Sequence, residues 1–130
     1  MPDEIDQPET PTGNDPGLAA LVMCLRFQGV AADPAQIAHR FGRAPIGVTE
    51  MLRCAKELGL KARVHRTRWE RLSHTALPAI APVREHGFLL IGKMGDDKAL
   101  VQLPFAARPS VMTRTELEEV WDGSLGRVLN

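Results

Sequence analysis

Two thiols and four imidazoles are the side chains of this chain best suited to covalent or metal chemistry: Cys24, Cys54, His39, His65, His74 and His86. A catalytic thiol must become a thiolate, which takes an electropositive, open setting such as a helix N-terminus. Cys24 falls in the middle of the apolar run Leu18–Leu25, and Cys54 in the middle of another helical pattern, so both read as packing residues. The histidines show no paired spacing and no close cysteine, so no metal site is predicted. No glycine-rich loop of the phosphate-cradling kind is present. Charge is uneven. Between Arg53 and Arg71 the chain carries Arg53, Lys56, Lys61, Arg63, Arg66, Arg68 and Arg71 against only Glu57 and Glu70. This stretch reads either as a solvated face beside the acidic segment Glu116–Asp122 or as a docking patch for an acidic polypeptide or another domain.

The elements that would position these residues follow from the hydrophobic period. Leu18, Leu21, Val22 and Leu25 recur at helical spacing, and Gly29 stops that helix. Its start, Asp15-Pro16-Gly17, is odd: Asp then Pro is an ordinary opening, but glycine is a poor helix former. Asp33-Pro34 opens a second helix with Ile37, Ala38 and Phe41 on its apolar face and Gly42 as its stop. A third runs from about Gly47 to Leu58 and ends at Gly59. The period then drops to two. Lys61 to Thr67 alternates, Ala62 and Val64 on one face, Lys61, Arg63 and His65 on the other. A short helical segment, Arg68 to His74, precedes strands at about Ala79–Arg84 and Gly87–Met94. A turn at Gly95-Asp96-Asp97 returns the chain as Ala99–Leu103. A strand at Ser110–Met112, a helix from Arg114 to Trp121 capped by Thr113, and a last strand at Leu125–Leu129 complete the pattern. Helices first and antiparallel strands after predict an α+β fold.

Composition narrows the function classes. The 130 residues carry 16 basic and 16 acidic side chains, so no global charge points to nucleic acid. Tyrosine is absent and aromatics are 5%, which argues against a base-stacking platform. The longest apolar run in the first helix, Leu18–Leu25, is far short of the roughly 20 residues that cross a bilayer. No signal peptide is read at the acidic N-terminus. Two cysteines inside helical patterns favour a reduced, cytoplasmic setting. Residues 1–14, with four carboxylates, three prolines and no basic residue, read as a disordered acidic leader, and 15–130 as one domain.

Several phrases in order, Asp15-x-Gly17-Leu18-x-Ala20-Leu21, Ile37-x-x-Arg40-Phe41, Ala55-Lys56-x-Leu58-Gly59-Leu60-Lys61, Leu77-Pro78-Ala79, Arg84-Glu85 and the helix Glu116 to Gly123, resemble the C39 peptidase domain of bacterial ABC exporters. The likeness is strongest to its inactive relative, the C39-like domain of type I secretion transporters that export RTX toxins and adhesins. It implies a papain-like fold, N-terminal helices packed on a central antiparallel sheet. The family's peptidases cut leader peptides after a double glycine with a Cys, His and Asp. Their Cys stands in an Asp-Cys-Gly motif at the start of the first helix, where the dipole lowers a thiol pKa. Carried onto this chain, the nucleophile position is Pro16, between Asp15 and Gly17; on this reading Gly17 keeps backbone clear beside it. The position of the family's oxyanion glutamine is Thr10, with Gln7 out of register. The base position falls on Gly87 or Phe88, with His86 one or two residues away. The position of the orienting carboxylate is Leu103, before Pro104. The resemblance therefore implies a domain with no catalytic residues.

What the resemblance implies in its place is a non-catalytic binding module at the cytoplasmic face of a bacterial inner-membrane transporter. It would recruit the secreted RTX-type substrate through the remains of the site. Pro16, Phe27, His86, Gly87 and Phe88 are the substrate-binding candidates, with Arg63 and Arg66 as a second, basic set. Phe88 reads as core, Phe27 as off the apolar stripe, and Trp69 and Trp121 as packing anchors. The domain itself needs no cofactor. ATP and Mg, the membrane and nucleotide-binding domains, and a membrane fusion protein belong to the full system; no nucleic acid partner is implied. The alternatives are a structural or regulatory domain that docks on the transporter's other parts, and an active cysteine peptidase using Cys24 or Cys54.

Overall fold

The computed structural model describes residues 15–41, 46–84 and 87–129. Helix α1 (Pro16–Phe27) opens as its sequence dictates: Asp15 is the N-cap, its Oδ1 accepts from Leu18 N at 3.2 Å, and Pro16 occupies the first turn. Leu18, Leu21, Val22 and Leu25 are buried, joined by Gly17, Ala20 and Cys24. Helix α2 (Pro34–Phe41) starts where Asp33 Oδ1 accepts from Ala35 N, and Ile37 and Ala38 are its buried face. The predicted stop at Gly42 lies outside the described residues. Helix α3 (Val48–Glu57) is capped by Glu50, whose Oε1 accepts from Gly47 N at 3.0 Å, and buries Met51, Cys54 and Ala55. Both α1 and α3 end on a glycine with positive φ, Gly29 and Gly59, which an L side chain would strain.

The strands are β1 (Lys61–Arg66), β2 (Ala79–Val83), β3 (Gly87–Met94), β4 (Lys98–Gln102), β5 (Ser110–Thr113) and β6 (Ser124–Leu129). Two helices interrupt them, α4 (Trp69–Leu72) and α5 (Arg114–Val120). Every boundary falls close to its predicted one. All six strands form one antiparallel sheet in the order β1-β6-β2-β3-β4-β5. The last strand therefore lies inside the sheet, between the first two. Helices α1 to α3 cover one face, where Leu18, Leu21, Leu25 and Met51 meet Ile80, Leu90 and Val128. Trp69, Leu72, Leu117 and Trp121 cover the other, against Leu89, Ile91 and Leu125. β3 is covered on both faces, which explains its continuous apolar run. The two tryptophans are the packing anchors expected of them: both are buried, and Trp121 Nε1 donates to Ser124 O at 2.6 Å.

Val64 departs from its predicted burial and is 40% exposed. β1 is a sheet edge, and the residue paired with Val64 is Gly126, which has no side chain to cover it.

Gly17 has a reason the sequence did not reveal. A Cβ there would stand 2.0 Å from the Ile46 carbonyl oxygen and 3.1 Å from Met51 Cε. The same corner holds Asp15, 6% exposed, whose second oxygen accepts from Ile46 N at 2.9 Å. The cleared space thus serves the backbone entering α3. Helix propensity alone would make Gly17→Ala a stabilising change of up to about 1 kcal/mol. The clash predicts the opposite sign, a loss of about 2–3 kcal/mol. Asp15→Ala, which removes a cap and orphans a buried N–H, should cost about 2–4 kcal/mol. Urea unfolding of both variants checks this, and a Gly17→Ala protein as stable as the parent would refute the close-approach account.

Candidate functional site

The predicted site positions lie on three chain segments. Pro16 is the first residue of α1, Gly87 and Phe88 open β3, and Leu103 follows the last residue of β4. Leu90 pairs with Gln102, so Leu103 leaves the sheet at the end where β3 begins. Helix α1 lies along β3, its later residues Met23 and Phe27 sharing a groove with Leu90 and Gly92. From Phe27 back to Pro16 a helix rises roughly 16 Å. From Gly92 back to Gly87 a strand covers about the same length. Phe88 packs half-buried against the cluster containing Leu18 and Leu21, so its reading as a core residue holds. Gly87 is hemmed by Val83 Cγ2, 3.1 Å from where its Cβ would be. Leu103 is exposed. What these positions present is a proline ring, a glycine, a phenyl ring and a leucine. His86, Thr10 and Gln7 lie outside the described residues.

The two thiols sit elsewhere. Cys24 is fully buried in the middle of α1, and burial pushes its pKa up to about 11. Cys54 is buried in α3, and its pKa is raised by burial first and by Glu57 second, against a smaller lowering by Arg40. Arg40 and Glu57 pair at 2.9 Å and, with Ile37 and Cys54, line a cavity of about 110 Å³. Among the described residues no group of three or more His, Cys, Asp or Glu could hold a metal ion.

One apolar feature was not read from the sequence. Among the described residues, helices cover β2 and β3 but leave β4 and β5 bare on the same side. There Leu100 and Val111 are cross-strand partners, 37% and 60% exposed. Beside them Met23, Phe27, Pro78 and Leu90 wall a groove of about 540 Å³, with Arg26, Lys93 and Gln102 as its polar members. Phe27, 72% exposed at the end of α1, stands on its rim, in line with its falling off the Leu18–Leu25 stripe. The signal in the sequence was the alternation of β4: Ala99 and Val101 face inward, so Leu100 had to face outward. A bulge at Gly92, where the β3–β4 register shifts between Ile91 and Lys93, shapes the floor.

The basic candidates are not part of this groove. Arg63 and Arg66 are exposed on β1, at the sheet edge, three strands from β3 and so roughly 14 Å from Phe88. Arg66 is partly engaged, its Nη2 donating to Asp122 O at 2.9 Å. The acidic helix does not neutralise the basic stretch. Glu116 caps α5 through Thr113 N, and Glu118 pairs with Arg114 of its own helix. Glu70, from within the stretch, pairs with Arg114, and the guanidinium helps hold its carboxyl below the ordinary range, after its own backbone hydrogen bond.

The sequence pattern of the Peptidase C39 family matches residues 9–126. The cyclolysin secretion/processing ATP-binding protein CyaB of Bordetella pertussis is 37% identical over 114 residues, 85% of this chain and 16% of that protein. The alpha-hemolysin translocation ATP-binding protein HlyB of Escherichia coli is 31% identical over 117 residues, with the same coverage of 85% and 16%. This chain thus spans about a sixth of the curated relatives it matches. Among solved structures, the N-terminal peptidase C39 like domain of the toxin secretion ATP-binding protein from Vibrio parahaemolyticus superposes with a TM-score of 0.79 at 22% identity. The match covers 90% of this chain and 98% of that one. A double glycine motif protease from an AMS/PCAT transporter, in complex with the leader peptide, gives 0.78 at 20% identity, covering 88% of this chain and 83% of that one. These last two likenesses speak to fold.

The burial of the thiols gives a direct chemical prediction. A pKa of about 11 leaves roughly one Cys24 in ten thousand as thiolate at pH 7. Ellman's reagent should find no rapidly reacting thiol in the native protein at neutral pH and two after unfolding in urea. A native thiol that reacts within seconds would overturn the packing role.

Proposed function

This chain belongs to the peptidase C39 family, and from that premise we propose that it is a non-catalytic, substrate-binding domain of a type I secretion ABC transporter. Support for the transporter setting comes from the relatives, named for toxin secretion and translocation, of which this chain corresponds to 16% of the length. No described helix is long and apolar enough to cross a membrane; in this reading the membrane spans and the ATP- and Mg-binding domain would lie in other parts of the full protein. The domain would sit at the cytoplasmic face, with a membrane fusion protein completing the export path.

Support for lost catalysis comes from the residues at the three positions. Pro16 offers no nucleophile, Gly87 and Phe88 no base, and Leu103 no carboxylate, while triad members act as a unit. The cysteines that remain are buried and raised in pKa.

The observation that carries the binding role is the bare apolar strip from Phe27 across Leu100 to Val111. Contiguous exposed apolar surface on a small domain marks an interaction site. A groove of this kind takes apolar side chains of an extended chain, which an unfolded RTX-type substrate presents and a folded one hides. Titration of the unfolded C-terminal region of an RTX-type protein, followed by amide shifts, should move Met23, Phe27, Leu100 and Val111 together. Phe27→Ala should weaken binding at least about fivefold, losing roughly 1 kcal/mol, while stability stays within about 0.5 kcal/mol because the ring is exposed. Shifts confined to residues 1–14, or no binding beside an intact effect of domain deletion on the transporter's ATPase, would replace this reading with the regulatory one. Cleavage of a double-glycine leader peptide would replace it with the enzymatic one.

A further inference from the structure

Strand β1 ends the sheet, and among the described residues no strand pairs with its outer edge. Lys61, Arg63 and His65 alternate along one of its faces. The register places Arg63 directly opposite Arg127 of β6, two like charges side by side on the same face. Such a pair is destabilising unless an anion lies between or beside them. Arg127 joins two hollows, one shared with Lys56, Lys61 and Arg63, the other with His65, Arg66, Arg68 and Arg71, and among the described residues no carboxylate lines either, though Arg68 pairs with Glu70 beside the second. The Nε of Arg127 is buried without a hydrogen-bond partner. A buried donor left open, within a cluster of basic residues of which only Arg68 has a carboxylate partner among the described residues, is the signature of an anionic ligand.

We propose that this edge binds an extended acidic polypeptide segment by strand addition. Its backbone would continue the sheet beyond β1. Carboxylates at every second residue would fall about 7 Å apart, the repeat of Lys61, Arg63 and His65 along the strand. One of them would reach between Arg63 and Arg127 and accept the open Nε–H. The alternation selects for a strand over a flat anionic surface: a membrane or a polyphosphate chain matches the charge but cannot supply the edge's amide and carbonyl partners. This surface lies across the sheet from the apolar groove, and the proposal stands whichever protein that groove binds.

The test uses the whole chain and a fluorescein-labelled ten-residue peptide alternating Glu and Thr. Two control peptides carry Gln for every Glu, or N-methyl groups on alternate backbone amides. Both controls should bind at least tenfold more weakly than the parent peptide. Arg63→Glu should weaken the parent peptide at least tenfold. It also turns the Arg63–Arg127 opposition into a cross-strand ion pair, so its urea midpoint should rise above that of the parent protein. A variant more stable yet weaker in binding excludes unfolding as the cause. Equal binding by the N-methylated peptide, unchanged binding by Arg63→Glu, or failure of the peptide to bind would each overturn the proposal. So would capture by phosphatidylglycerol vesicles or polyphosphate that the peptide does not displace.

Discussion

The Asp15 carboxylate holds the helical layer in its place. One oxygen caps α1 through Leu18 N; the other takes the N–H of Ile46, 31 residues on, just before α3 begins. A carboxylate buried this deeply must have its lone pairs occupied, and here two backbone donors occupy them. Gly17 lets the two backbones approach closely enough for that bond to form, since any Cβ would strike the Ile46 carbonyl. With α1 and α3 fixed to each other, Leu18, Leu21 and Met51 meet Ile80, Leu90 and Val128 as one core. Phe27, at the other end of α1 from Asp15, then stands on the rim of the groove.

The two surfaces that remain uncovered differ in kind because they lie at opposite edges of one sheet. At β4 and β5 the helical layer runs out before the apolar face does, leaving Leu100 and Val111 bare beside Phe27. At β1 the outward residues are cationic, and the neighbouring strand adds another cation instead of a partner for them. Charged side chains on an edge strand ordinarily guard against unwanted pairing. Here the basic set repels other cationic edges while leaving an acidic strand free to approach. The chain's zero net charge hides this, since the acidic residues of α5 are spent on their own cap and on Arg114.

Local chemistry was readable because it acts over a few residues. Asp15, Asp33 and Thr113 announced helix starts, Gly29 and Gly59 announced stops, and the change of period from 3.6 to 2 at Lys61 announced the sheet. The α+β architecture, the buried thiols, the packed tryptophans and the exposed Phe27 follow from those signals. What stayed hidden depends on pairings between distant segments. Ile46 next to Gly17, Gly126 opposite Val64 and Arg127 opposite Arg63 are each set by tertiary register, which no local pattern carries. The groove belongs to the same class. Leu100 was recognisable as outward-facing, but only the extent of the helical layer decides that no described helix covers it.

The position of β6 in the sheet has a consequence for the order of events during synthesis. Strand β1, first of the six in the chain, has no sheet partner until residues 124–129, the last of the six to be made, slot in beside it. Until then the strands β2 to β5 can zip as successive hairpins, while β1 waits with both edges open. Long-range closure of this kind is slow, and the open strand is vulnerable meanwhile. A strand bearing Lys61, Arg63 and Arg66 is well suited to that wait, because charge keeps it from pairing with copies of itself. The cations that mark the finished edge also protect the unfinished one.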